Sequence, residues 1–298
     1  MSSARSFRLE MLQVARLAPR VLGDSAALVE GFLRSQLHPD GGFADRQGKS
    51  DLYYTVFGLE GLRAVQVDFD STATANYVRS FGDGDGLDFV HLCSLVRCGA
   101  NLRAPFFRED QADKITARLE NYRTADGGYH GTPGKNRGSA YGALLAWGAY
   151  ADLGREMPEA NRLLEALLSL QLPDGSFANE PGLPQGTTTA TAAAVTLCRY
   201  LQHLLPNTTG DWLLQQVHPS GGFLATPRAP LPDLLSTATA LHALEGLEVD
   251  FSSLRDLCLD FVDSLWSAEG GFHGHWADDD LDAEYTSYGL LALGHLGV

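Results

Sequence analysis

The chain has 298 residues, of which 44% are hydrophobic, 20% charged and 9% aromatic. That composition excludes a disordered chain, a collagen-like chain and a disulfide scaffold, and it supplies enough apolar material for a large core. With 22 Lys and Arg against 37 Asp and Glu the formal charge is −15, which opposes nucleic acid and anionic membrane surfaces as partners.

From Met1 to Gly23, the arginines Arg5, Arg8, Arg16 and Arg20 interrupt the apolar residues. No signal-type apolar segment results, and no run approaches the ~20 apolar residues of a membrane span. The expectation is a cytoplasmic protein without a membrane span. The cysteines Cys93, Cys98, Cys198 and Cys258 fall in apolar, helix-like stretches without zinc-ligand spacing, so they read as buried thiols.

From about residue 28 the chain repeats itself. Pro39-Asp40-Gly41-Gly42-Phe43 returns as Ala125-Asp126-Gly127-Gly128-Tyr129 and as Pro173-Asp174-Gly175-Ser176-Phe177. Two further copies are Pro219-Ser220-Gly221-Gly222-Phe223 and Ala268-Glu269-Gly270-Gly271-Phe272. The aromatic positions are spaced 86, 48, 46 and 49 residues apart, and the doubled first gap predicts a worn copy, present at Asp83-Gly84-Asp85-Gly86-Leu87. Six repeats result, near 28–68, 72–102, 112–153, 160–205, 209–249 and 254–298, within a single domain spanning 1–298.

Each repeat has one grammar. A stretch of helical period such as Leu164, Leu167, Leu168 and Gln171 leads into the motif. The acid and the glycines turn the chain, a polar loop follows, and a second helix begins, as at Tyr141, Leu144, Leu145 and Gly148. Kelch propellers also carry paired glycines, but segments 142–150 and 239–246 are rich in Ala and Leu and alternate poorly, so they predict helices rather than strands. An open helical array needs polar end caps. The last helix here, Tyr288 to Leu296, is as apolar as the interior ones, which predicts a closed ring of twelve helices.

These residues resemble the α/α-toroid family of protein prenyltransferase β subunits and squalene/terpene cyclases, whose units are helix, Q-x-x-D-G-G-F-like loop, helix. The similarity runs from about Leu28 to Leu296 and looks closest to the type II geranylgeranyl transferase β subunit. It is carried by Gly42-Phe43-Ala44-Asp45-Arg46, by Tyr54-Thr55-x-x-Gly58-Leu59, and by Leu214 to Gly222 followed by Leu231-Pro232-Asp233. The resemblance implies an all-α, (α/α)6 toroid: inner helices within an outer ring, around a central apolar funnel. Their N-termini would gather at one rim and offer N–H groups to a diphosphate. The funnel would hold an isoprenoid at ~0.8 kcal/mol per buried methylene.

Active members of that family hold a zinc ion with Asp, Cys and His. By the resemblance Asp233 keeps the Asp position, Leu235 stands at the Cys position, and Tyr285 stands at the His position. A catalytic zinc needs three protein ligands and leucine offers none, so the thiol-activating zinc is expected to be absent. His273, His275 and Trp276 are followed by Asp278, Asp279, Asp280 and Asp282. Three readings of this loop stay open: a solvated loop that caps the next helix, a Mg²⁺ or Zn²⁺ site, or a carboxylic acid that protonates an alkene.

The catalytic candidates are Asp280, Asp282 and Asp233. Lys135, Arg137 and Arg228, with Arg46 and Lys49, are candidate diphosphate contacts. Tyr54, Tyr141, Tyr285, Tyr288 and Trp276 are candidate chain contacts, and Tyr53, Phe57 and Trp147 are further aromatics for a funnel wall. The small residues of 187–194 and 236–240 either leave room for a ligand or let helices approach closely. Functionally, the sequence points to a binder of an isoprenoid or polyprenyl diphosphate that acts without zinc, by transfer to a non-thiol acceptor or by cyclisation. The alternatives are a catalytically inactive lipid- or protein-binding scaffold and a zinc-dependent transferase with shifted ligands, drawn from His91, His130, His242 or His273. The need for an α-type partner subunit is undetermined.

Overall fold

The chain forms helices where Ala and Leu dominate and turns wherever the glycine motif recurs. The computed structural model describes residues 6–102 and 105–297. In chain order these form α1 (Phe7–Ala15), α2 (Ala18–Leu22), α3 (Ala26–Ser35), α4 (Leu52–Ala64), α5 (Thr72–Ser80), α6 (Phe89–Leu102) and α7 (Glu109–Glu120). They continue as α8 (Ala140–Asp152), α9 (Ala160–Leu168), α10 (Thr188–Tyr200), α11 (Asn207–Leu214), α12 (Leu234–Gly246), α13 (Arg255–Ser264) and α14 (Ala283–Leu296). The strands are two antiparallel ladders, β1 (Phe43–Ala44) with β2 (Ser50–Asp51) and β3 (Phe223–Leu224) with β4 (Pro232–Asp233).

The even-numbered helices from α4 to α14 are the inner ring. Each packs on the next, and α14 packs back on α4, so the expected closure is present. The odd-numbered helices from α3 to α13 form the outer layer.

The motif glycine explains why the repeat survives at five places. Gly41, Gly127, Gly175, Gly221 and Gly270 have φ of 98°, 92°, 89°, 84° and 94°, a region that an L side chain enters only under strain. A Cβ would also strike the outer helix of the following repeat, at 2.3 Å from the Ala73 carbonyl carbon for Gly41. For Gly270 the clash is at 2.1 Å with the oxygen of Leu28 on α3, so the last motif closes on the first outer helix.

The aromatic residue of the motif locks the inner helix of its own repeat. The amides of Phe43, Phe177, Phe223 and Phe272 donate to the hydroxyls of Thr55, Thr191, Thr237 and Thr286 at 2.9, 3.0, 2.9 and 3.3 Å. These four rings are at most 1% exposed, each stabilising the fold by about 1.5–3 kcal/mol. Inner-helix glycines make room for them: a Cβ on Gly58 would lie 2.0 Å from Phe43.

The N-terminal helices α1 and α2 lie beyond the predicted twelve. α1 packs on α14 and α4 at the C-terminal end of the inner ring and closes it as a floor. Glu10 of α1 accepts from Arg199 and Tyr200 at 2.7 Å each, and the ring of Phe7 lies against Gly148 and Tyr200. The four cysteines are buried and free. Among the described residues no helix is long and apolar enough to cross a membrane.

Candidate functional site

Inside the ring is a cavity of about 140 Å³. An apolar cavity of this order takes one benzene-sized ring, so the space suits a ligand on the order of five to ten carbons, and a geranylgeranyl chain exceeds it unless α1 withdraws. Near the N-terminal rim its wall is aromatic: Tyr53 and Phe57 of α4, Tyr141 of α8 and Tyr288 of α14. Leu144, Leu145, Leu290 and Leu291 continue it downward, and Phe7, Met11 and Leu12 of α1 form the lower end.

The first and last repeats meet at a polar seam beside this wall. The Tyr53 hydroxyl donates to Glu284 at 2.5 Å, and Ser287 donates to the carbonyl of Phe57 at 2.7 Å. Burial raises the Glu284 carboxyl to about 7; Tyr53 and Arg46 oppose the rise while Asp282 adds to it. Tyr141 lines the same wall as Tyr53. Glu284 itself does not line the cavity and meets it through the Tyr53 hydroxyl, and at neutral pH a large fraction of it carries its proton. Sequence reasoning misses it beside four aspartates because its value depends on burial, which local sequence does not show.

Asp282 and Arg46 are brought together, and this limits both. Arg46 Nε donates to Asp282 at 2.7 Å, and its Nη1 and Nη2 grip Asp278 at 3.2 and 2.8 Å. The guanidinium lies 5.3 Å over the Tyr285 ring and 3.7 Å from Asp280. Asp282, 1% exposed, also caps α14 by accepting from the Tyr285 amide at 2.8 Å. The acidic loop thus holds an arginine where a Mg²⁺ ion would need the same carboxylates, and that ion does not fit. Asp280 is exposed and lies outside the cavity wall, so as a proton donor it does not meet the chain site.

A zinc ion does not fit the family position either. Both carboxylate oxygens of Asp233 are bonded within α12, accepting from the Ser236 amide and hydroxyl at 2.7 Å each. Leu235 has no donor atom, and Tyr285 stacks on Arg46. Among the described residues no three His, Cys, Asp or Glu side chains are grouped to hold a metal.

The predicted diphosphate cations do not converge. Arg137 donates to Ser169 on the outer layer at 2.9 Å, and Arg228 donates to Gln185 at 3.2 Å. Lys135 is exposed in its loop, and none of the three lines the cavity. The inner-helix N-termini are also occupied: Asp51, Ser139, Thr187, Asp233 and Asp282 accept their first amides. Local caps thus take up one or two of the first-turn N–H groups of each of these helices.

Of the aromatic candidates, Tyr141 and Tyr288 line the cavity while Tyr54 and Tyr285 do not. Trp276 lies outside, its indole donating to Ser264 at 2.8 Å and its ring packed on Phe261. The small residues of α10 contribute nothing to the wall, and of 236–240 only Thr239 does, so these stripes serve helix packing.

At the floor a second polar group appears that the repeat pattern did not point to. Arg97 holds Glu60 through Nε and Nη2 at 2.6 and 2.7 Å, and Arg8 holds Asp152 and Asn101 at 3.0 and 2.9 Å. The signal was charge within apolar inner helices, at Glu60 and Arg63 in α4 and at Arg97 in α6.

A family model for the prenyltransferase alpha-alpha toroid domain matches residues 9–93, 87–208 and 197–295. A search of curated proteins finds no match. Among solved structures, Candida albicans protein geranylgeranyltransferase-I complexed with GGPP is 16% identical, with TM-score 0.61 and coverage of 82% of this chain and 83% of that one. The type II terpene cyclase MstE from Scytonema, in a substituted form in complex with geranylgeranyl dihydroxybenzoate, is 14% identical, with TM-score 0.62 and coverage of 97% and 98%. A protein from Actinoplanes is 15% identical, with TM-score 0.59 and coverage of 92% and 98%. At these identities the likeness is one of fold.

Proposed function

Because the chain belongs to the prenyltransferase α/α-toroid family, we propose that its cavity binds an isoprenoid chain and that the chemistry begins with proton transfer from Glu284, without zinc. The observation that carries this reading is a buried carboxyl raised to about 7, hydrogen-bonded to a tyrosine of the aromatic cavity wall. Raised carboxyls of this kind act as general acids near neutral pH.

The step is protonation of an alkene. The C=C π pair takes the proton of the Tyr53 hydroxyl on the cavity wall, a C–H bond forms, Tyr53 takes the Glu284 proton in its place, and a carbocation remains on the more substituted carbon. The faces of Tyr53, Phe57, Tyr141 and Tyr288 stabilise that cation through their ring quadrupoles. Attack by a second alkene closes a ring, and loss of a proton through Tyr53 to the Glu284 carboxylate restores the acid. Electrons and atoms balance without an oxidant or a departing diphosphate. Cyclisation is therefore favoured over prenyl transfer, since the predicted diphosphate cations stand apart from the cavity.

The test is incubation of the purified protein, in EDTA, with geranyl, farnesyl and geranylgeranyl diphosphates and the corresponding alcohols, with products identified by mass spectrometry. The expected outcome is an isomeric cyclic product of unchanged mass, lost in Glu284→Gln. Release of pyrophosphate, transfer to a cysteine peptide, or no binding at tens of micromolar ligand would overturn the reading. The inactive-scaffold alternative is favoured by one observation, the filling of the funnel's lower end by α1; binding without turnover would establish it.

A further inference from the structure

The floor of the cavity carries polar atoms that proton transfer at the rim does not use. Arg97 engages Glu60 through Nε and Nη2 only. Its Nη1 has no hydrogen-bond partner among the described residues, and its guanidinium lies 5.8 Å over the Phe7 ring at the cavity's lower end. Ser94, one turn earlier on α6, is 6% exposed and lines the same wall, and its hydroxyl also lacks a partner among the described residues. Residues three apart on a helix share a face, so the two unpaired groups present themselves together to one corner of an otherwise apolar space.

Both groups stand open to the cavity, and a ligand oxygen placed there can pair with them in place of water. Charge decides which oxygen. The charged groups on the cavity wall itself are Glu60, Arg97 and Asp152, and with Arg97 paired to Glu60 the wall offers no surplus positive charge to hold a carboxylate or a phosphate. A neutral oxygen can accept from Arg97 Nη1 and pair with the Ser94 hydroxyl.

We infer that the cavity floor recognises an alcohol or ketone oxygen on the buried end of the isoprenoid, through Arg97 Nη1 and Ser94 Oγ. This rests on the reading of the cavity as an isoprenoid site and specifies the ligand further. No bond is made or broken at the floor. The contact orients the chain oxygen-first and leaves its distal alkene beside Tyr53 and Glu284.

The test is isothermal titration of the full-length protein with geraniol and with its deoxy hydrocarbon. The wild type is expected to bind geraniol about tenfold tighter or more, the range of a hydrogen bond to a charged donor. Ser94→Ala should shrink that advantage, and the double variant Arg97→Met with Glu60→Met, which removes both charges together, should abolish it, read as the ratio of alcohol to hydrocarbon affinity within each protein. Ser94→Ala carries the test if the double variant does not fold. Equal affinities in the wild type, or an advantage untouched by the substitutions, would overturn the inference. Failure of both compounds to bind would instead overturn the isoprenoid reading itself.

Discussion

Arg46 and Asp282 are 236 positions apart in sequence and 2.7 Å apart in space. The pair, with Asp278, clamps the loop of the first repeat to that of the sixth, and it holds the Asp282 cap of α14 next to Glu284. A carboxylate that is 2% exposed in its side chain depends on that guanidinium for compensation.

Arg46→Met keeps the stem but leaves Asp282 buried without its counter-charge, with only the Tyr285 amide still bonded to its carboxylate. Loss of a buried charged hydrogen bond should cost about 2–3 kcal/mol, read as a lower urea midpoint at unchanged slope. A midpoint equal to that of the wild type would show that the clamp is dispensable for closure.

Glu284 sets a pH dependence with a definite sign. Its folded value of about 7 lies above the ordinary 4.5, so the folded state holds the proton more tightly. The wild type therefore loses stability as pH rises from about 4.5 to about 7, by roughly 2–3 kcal/mol. Glu284→Gln should be more stable than the wild type at pH ~8 and level with it below pH ~4.5. If Glu284 is the acid, the wild-type rate should also fall as pH rises through about 7. Chemical denaturation and rate profiles across that range check both.

Gly58 meets the motif aromatic of its own repeat. Its Cβ would lie 2.0 Å from the Phe43 ring, so Gly58→Ala forces the ring out of a fully buried site. Overpacking of this kind costs about 1–3 kcal/mol or more, whereas Gly31→Ala in α3, where a Cβ has nothing within 4 Å and the backbone is helical, should cost less. The comparison is made by thermal unfolding of both variants.

His242 and His295 face each other at 3.1 Å, with Glu10 3.9 Å from the outer nitrogen of His242. Burial depresses them to about 4 and about 3. Because the folded values lie below the ordinary 6.5, the unfolded chain gains protons first on acidification. Stability is full above about 6.5 and is lost as pH falls toward about 4. The double variant His242→Leu with His295→Leu should show a smaller loss between pH ~6 and ~4 in acid unfolding followed by circular dichroism.

The ring was legible in the sequence because each repeat is a local unit. Gly41 and its counterparts need left-handed backbone, Phe43 and its counterparts need a pocket, and both needs recur at fixed spacing. The groups proposed here as acid and as recognition site were not legible to the same degree. Asp280 and Asp282 looked like the acids, yet one lies in solvent and the other is held by Arg46, while Glu284 gains its character from burial against Tyr53. Lys135, Arg137 and Arg228 shared a position within their repeats, but loop geometry turned them away from the centre. Periodicity reports which face of a helix is apolar, and it contains no term for contacts between the first repeat and the last. Only closure of the ring brought residue 53 to 284 and 46 to 282, and only the docking of α1 decided how much of the hollow remained.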